Sequence, residues 1–337
     1  MKCIFCLQAF PDSEKSKEHI IPEALGSRKL VLWDTCHPCN NTLGGKVDCL
    51  LINSELVQLA RLTLDIKGKA KAAPNVFKTG VIDPETGAPM TGSFNEKGQL
   101  VARAIPKHIH EDLGEGNHAS KVSINADDAE NIKYVITQIQ ALIKGNPAMK
   151  DKAVPTVTEE HARALLETGE VEIVPGLKLT AGRRSVDTIQ KTFTVDSENF
   201  KPAIVKIIYE LAYHWLGPDY LDDPTAAQLR DIVNQSVAGP VDVDAVLEEG
   251  GAALGGQVPL EHWKDEKHFH HAFLLRSGNS MLLHLSIFGN YWGTIKVTKE
   301  ADRYPHAQDM FLSVDPRNSE TREQPFLDEI ARFIVLE

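Results

Sequence analysis

Apolar positions recur at helical spacing in several stretches of the chain. In "LLINSELVQLARLTLDI" they fall at 52, 56, 59, 60 and 64, which predicts a helix from Leu50 to about Ile66 that extends back towards Cys39. A second helix is expected over 126–144, with apolar residues at 132, 135, 136, 139, 142 and 143 and Gly145 as its stop. "TEEHARALLETG" reads as a third, capped by Thr158 with Glu160 nearby. The strongest pattern covers 201–216, "KPAIVKIIYELAYHWL", with Pro202 in its first turn, apolar residues at 204, 207, 208, 211, 212 and 215, and Gly217 closing it. "AAQLRDIVN" and "PFLDEIARFIVLE" predict two shorter helices.

Strand-like patterns occupy other segments. "VEIVPGLKLTAG" and "KTFTVDS" are strand candidates, and residues 270–299 hold three apolar or β-branched runs separated by "RSGNS" and "FGNYWG", the pattern of an antiparallel meander. Residues 67–121 are rich in Gly, Pro and Lys, with short strand-like pieces such as "GQLVARAI" between them, and read as a connector with hairpins. These elements give an α+β chain in three consecutive parts: 1–66, a connector over 67–121, and a mixed region over 122–337 with the meander near its end.

Composition narrows the class. With 42% apolar and 25% charged residues, 337 residues suffice to bury a substantial core. No run of eighteen apolar residues occurs and the short apolar opening lacks a small-residue cleavage site, so the expectation is a cytoplasmic protein with no membrane partner. A formal net charge of −11 excludes a protein that coats nucleic acid with its whole surface. Residues 1–80 nevertheless carry eleven Lys and Arg against eight Asp and Glu, a mildly basic head on an acidic body.

Four of the five cysteines form two Cys-x-x-Cys pairs, Cys3 with Cys6 and Cys36 with Cys39. Such turns point both sulfurs at one ion, so a structural four-sulfur zinc site is expected, with Cys49 left as a small core residue. The 29 residues between the pairs exceed the 15 to 20 of a simple zinc ribbon. That insert contains "KEHIIP", and Asn40 and Asn41 follow Cys39 directly. In a strand, Glu18 and His19 would point to opposite faces, so both serve one site only where the backbone bends or a metal sits at the edge. Zinc would fix that strand and the helix start as one unit, where carboxylate, imidazole and amide converge.

Together "C-x-x-C", "EHIIPEALG" and "C-x-x-CNN-x-LG" resemble an HNH endonuclease whose ββα-metal fold is stapled by four zinc-binding cysteines, over roughly residues 1–66. The resemblance implies His19 as general base, with Glu18 and Asn40, or Asn41 in its place, as oxygen ligands of a catalytic Mg²⁺ or Mn²⁺. It implies DNA, or RNA in its place, as substrate and hydrolysis to a 5′-phosphate and a 3′-hydroxyl. The family more often has Asp at the position of Glu18, and its middle Asn has no counterpart in "KLVLWDTC", where Asp34 is the substitute brace for the His19 loop. Arg28, Lys29 and Lys46 are candidate phosphate contacts.

Beyond residue 66 the sequence offers less chemistry. "HFHH" (His268, His270, His271) lacks a matching ligand cluster, His214 and Trp215 belong to the core or edge of their helix, and no phosphate cradle or dinucleotide fingerprint occurs. The expected role of this region is control, targeting or dimerisation of the nuclease, or docking of a partner protein, in an anti-phage defence or restriction effector. The competing expectation is a catalytically idle zinc module that binds nucleic acid or protein.

Overall fold

A computed structural model describes the chain except residues 69–70, 116, 195, 245, 247–265, 290 and 335–337. Residue 195 of the strand candidate "KTFTVDS", residue 290 in the separator "FGNYWG" and the last three residues of the terminal helix lie outside the described residues. The first 66 residues supply β1 (Lys15–His19) and β2 (Val31–Cys36), an antiparallel pair, then α1 (His37–Leu43), a π-type turn at Gly44–Asp48, α2 (Cys49–Ile52) and α3 (Glu55–Thr63). The predicted helix over 50–66 is therefore two pieces, broken where Ser54 takes extended backbone (φ −60°, ψ 136°), and the first piece starts at the second cysteine pair.

Two compact units emerge: Met1–Pro74 together with Thr194–Glu337, and Asn75–Phe193. Composition gave three consecutive parts and no sign that residues after 194 return to pack with the first 74. The unit 75–193 contains β3 (Val81–Ile82), β4 (Pro89–Phe94), β5 (Leu100–Ala104), β6 (Ile109–Gly114), β7 (Asn117–Lys121), α4 (Ala126–Ala129), α5 (Ile132–Gly145), α6 (Glu159–Thr168), β8 (Glu170–Val174), β9 (Leu177–Thr180) and β10 (Gln190–Lys191). Asn131 breaks the helix predicted over 126–144, because its side chain caps α5 by accepting from the Tyr134 N–H. At α6, Thr158 forms a capping box with His161 rather than with Glu160.

The larger unit is completed by α7 (Ser197–Leu216), α8 (Pro224–Ser236), β11 (His270–Ser277), β12 (Ser280–Ile287), β13 (Tyr291–Thr298), β14 (Met310–Asp315), β15 (Glu320–Pro325) and α9 (Phe326–Ile334). Asp196 starts α7 four residues earlier than Lys201, so Pro202 lies inside the helix. The meander extends to five antiparallel strands in the order β13-β12-β11-β14-β15. Ile204, Ile207, Ile208 and Leu211 of α7 share one core with Ile4, Phe5, Ile20, Ile21, Leu43 and Val47 and with β12 and β13. Each such side chain contributes roughly 1.5–3 kcal/mol on burial. The zinc-type knuckle thus has no core of its own: α7 and the sheet provide it.

Polar contacts follow the same seam. Tyr209 Oη donates to the Ile4 carbonyl, Asn234 Nδ2 to the Phe5 carbonyl at 3.1 Å, and His270 Nε2 to the Leu25 carbonyl at 2.8 Å. No helix among the described residues is long and apolar enough to cross a membrane.

Candidate active site

The ligand atoms of Cys3, Cys6, Cys36 and Cys39 lie within 4.8 Å of one another, and the Cys6 and Cys36 sulfurs are 3.9 Å apart. Four zinc–sulfur bonds of about 2.3 Å place tetrahedral sulfurs about 3.8 Å apart, so the set fits a structural zinc ion with no open position. Burial pushes the Cys36 and Cys39 thiols up, whereas at Cys3 the backbone N–H groups of Cys36, Cys6 and Phe5 outweigh burial and hold the thiol below its ordinary value. Cys49 is half-buried rather than core, its thiol donating to the Gly45 carbonyl at 3.0 Å one helical turn back.

Between the two cysteine pairs, β1 carries Glu18 and His19, opposite Leu32 and Val31 of β2, just after a break in register between Ser16 and Glu18. Asn40 on α1 reaches this break: its Nδ2 donates to Ser16 Oγ at 2.8 Å and to the Lys17 carbonyl at 2.9 Å. Asn40 therefore performs the bracing that the sequence assigned to Asp34. Asp34 instead lies against Tyr213, whose hydroxyl is pushed up to about 12 by burial and by that carboxylate. With its nitrogen committed to β1, Asn40 has its carbonyl oxygen left for a ligand. Asn41 is exposed and bonded at 2.7 Å to His37 on its own helix.

The two residues of the dipeptide meet different surroundings. The His19 side chain is 16% exposed, with Nε2 3.9 Å from Glu23, and Glu23 is in turn 3.8 Å from Arg28 Nε. Glu18 is 3% exposed and faces the core, where Lys206 Nζ of α7 donates to its Oε1 at 2.7 Å. Lys206 is fully buried and also lies 3.2 Å from Asp48 and 3.3 Å from Glu210.

Three carboxylates thus surround one ammonium. Burial pushes Glu18 and Glu210 up, with Lys206 pulling both back, while the three acids together overcome the burial cost and hold Lys206 well above its ordinary value. The π-type turn before α2 ends at Asp48 and turns it inward. None of Asp48, Lys206 and Glu210 was singled out from the sequence. The available signal was Lys206 and Glu210, one turn apart among the apolar positions of α7.

Residues 3–56 match the HNH endonuclease family. The matched segment begins at the first zinc-type cysteine and ends within α3, so it contains the four cysteines, Glu18, His19, Asn40 and Asp48 but neither Lys206 nor Glu210. No curated protein and no solved structure matches the chain. An HNH domain with this cysteine cluster points to nuclease activity, a nucleic-acid substrate and bound zinc.

A catalytic divalent cation would need oxygen donors at this site. Glu18 Oε2 is buried with no hydrogen-bond partner, and Glu18 and Asn40 each offer a side-chain oxygen of the kind hard cations take. The donor chemistry fits. Arg28, Lys29 and Lys46 are all exposed, and of these Arg28 is joined through Glu23 to His19. "HFHH" serves as fastening: His270 holds the Leu25 carbonyl and accepts from the Phe288 N–H at 3.1 Å, and His271 lies 3.2 Å from Glu266. His214 and Trp215 both bond Glu323 on β15, at 2.9 and 2.6 Å.

Proposed function

We propose that the chain is a metal-dependent endonuclease that hydrolyses DNA phosphodiester bonds, acting in bacterial defence against phage or in restriction, with its C-terminal region in control. The observation that carries the catalytic reading is the Asn40 brace: it ties the start of α1 to the residue before Glu18 and His19 within the family-matched segment. In this reading His19, the partly exposed imidazole, takes a proton from water as general base. The resulting hydroxide attacks phosphorus as the bond to the 3′ oxygen breaks, leaving a 5′-phosphate and a 3′-hydroxyl once the leaving oxygen is protonated. Glu18 and Asn40 would hold Mg²⁺ or Mn²⁺, which when bound supplies charge stabilisation at the phosphoryl and leaving oxygens. The sulfur-bound zinc holds the frame and takes no part.

One observation favours a second reading, a zinc module that binds without cutting: Glu18 already has a cation, Lys206, at 2.7 Å. Supercoiled plasmid incubated with Mg²⁺, Mn²⁺ or EDTA separates the two. Metal-dependent nicking that disappears in His19→Ala supports the nuclease; equal inertness of wild type and variant with every metal supports the module.

A further inference from the structure

The loop that follows His19 does not end in open solvent. Gly26 has φ +96°, and a Cβ at this position would lie 2.1 Å from the Pro316 carbonyl oxygen, so only glycine lets the loop seat against the β14–β15 turn. Ser319 Oγ donates to the Gly26 carbonyl and His270 Nε2 to the Leu25 carbonyl, fastening the same loop on the sheet. Beside this seam is a cavity of about 250 Å³, lined by Gly26, Arg28, Asp65, Lys67, Arg317 and Ser319 among others. Its size falls below the roughly 300–1,000 Å³ of sites for whole drug-sized ligands. Three cations and one carboxylate face it.

Each cation has an acid nearby: Arg28 lies 3.8 Å from Glu23, Lys67 3.2 Å from Asp65, and Arg317 3.4 Å from Asp315. All three basic side chains are more than half exposed, so these pairs are weak and yield to a doubly hydrogen-bonded phosphate. A fourth cation lies close in the chain to the lining residues Asp65, Ile66 and Lys67. Arg61 is only 7% exposed, makes no ion pair among the described residues, and has Nε without a hydrogen-bond partner. Its Nη2 lies 3.0 Å from where a Cβ of Gly68 would be, next to Lys67, and its carbonyl accepts from the Ile66 N–H at 2.8 Å. A buried guanidinium without a counter-charge is costly, and an anion bound nearby would offset that cost.

We infer that this cavity is a phosphate site for the nucleic-acid substrate, built largely outside the family-matched segment from Lys67 and Arg317, and connected to His19 through Arg28 and Glu23. The inference rests on the nuclease reading for its ligand, and it makes the β14–β15 turn part of the substrate surface.

The test uses the full-length His19→Ala protein, so that substrate stays intact, and measures binding of a fluorescein-labelled DNA duplex by anisotropy over a range of salt. Arg317→Glu and Lys67→Glu each weaken binding about tenfold at low salt and lower the salt slope by about one, whereas Lys178→Glu in the other unit changes neither. Equal melting temperatures exclude misfolding of these exposed-site variants. Unchanged DNA binding in both variants overturns the inference. So does a mononucleotide or inorganic phosphate that binds the cavity and is lost in Arg317→Glu while DNA binding persists. If wild type never nicks plasmid but both variants still bind DNA more weakly, hydrolysis fails and the phosphate site stands. Nicking by wild type with unchanged binding in the variants sinks the phosphate site alone.

Discussion

Replacing Lys206 by Met keeps an unbranched apolar stem, one atom shorter, and removes the charge. In the native protein this ammonium is fully buried, 2.7 Å from Glu18, 3.2 Å from Asp48 and 3.3 Å from Glu210. Its removal leaves three buried carboxyl groups with no cation among them, the arrangement for which losing one partner costs about 3–5 kcal/mol. Against a total of roughly 5–15 kcal/mol for a folded domain, that is a large share. For a unit on the order of 200 residues it lowers the melting temperature by roughly 6–20 °C.

The assay is thermal unfolding at pH 7 with zinc present, read by circular dichroism. Adding Glu18→Gln and Glu210→Gln to Lys206→Met should recover much of the loss, because the carboxylates no longer need a counter-charge. If Lys206→Met melts within 2 °C of wild type, as expected of substitutions worth less than about 0.5 kcal/mol, the lysine is not neutralising the cluster and the electrostatic account of Glu18 is wrong.

Other substitutions probe the same region. Glu210 has its folded-state value raised, so its contribution to stability is full at acid pH and is lost as pH rises through that value; Glu210→Gln does not titrate, and its urea midpoint should gain on wild type with rising pH. His270 is held down to about 4 by burial, so wild type loses roughly 3 kcal/mol as pH falls from 6.5 through 4, and His270→Gln should flatten that part of the profile in urea titrations. Chelation of zinc, or Cys39→Ser, should unfold the knuckle and expose the core shared with α7, seen as loss of a cooperative melt and as one fewer equivalent of zinc by metal analysis. Asn40→Ala removes two hydrogen bonds, costs about 1–2 kcal/mol and slows plasmid nicking at least a hundredfold, whereas Asn41→Ala changes nicking less than twofold. Equal rates in the two asparagine variants would contradict the assignment of Asn40.

Local chemistry was the legible part. The cysteine pairs and the Glu-His dipeptide advertise themselves because the residues that act together lie within a few positions of one another or in repeated spacing. The long-range partners carried no such mark. Lys206 sits in a helix whose apolar periodicity masks it, and only the return of α7 to the knuckle gives that lysine its three acids. β14 and β15 were missed because "MFLSVD" is buried at nearly every position, and so lacks alternation, while "ETREQP" is a largely half-buried edge strand of mostly polar residues. Two helix starts shifted where a cap decided them, at Asn131 and Asp196.

The seam between the knuckle and α7 also sets an order of events during synthesis. Ile4 meets its partner Tyr209 across 205 positions of chain, and Gly26 meets Ser319 across 293. At about 5–20 residues per second, a ribosome needs tens of seconds to deliver those partners after the cysteines have emerged. Until then Glu18 has no lysine and the apolar face of the knuckle has no cover. A nascent chain halted before α7 therefore carries the sequence of the candidate site without its frame, and on the proposed reading activity emerges only as the fold is completed.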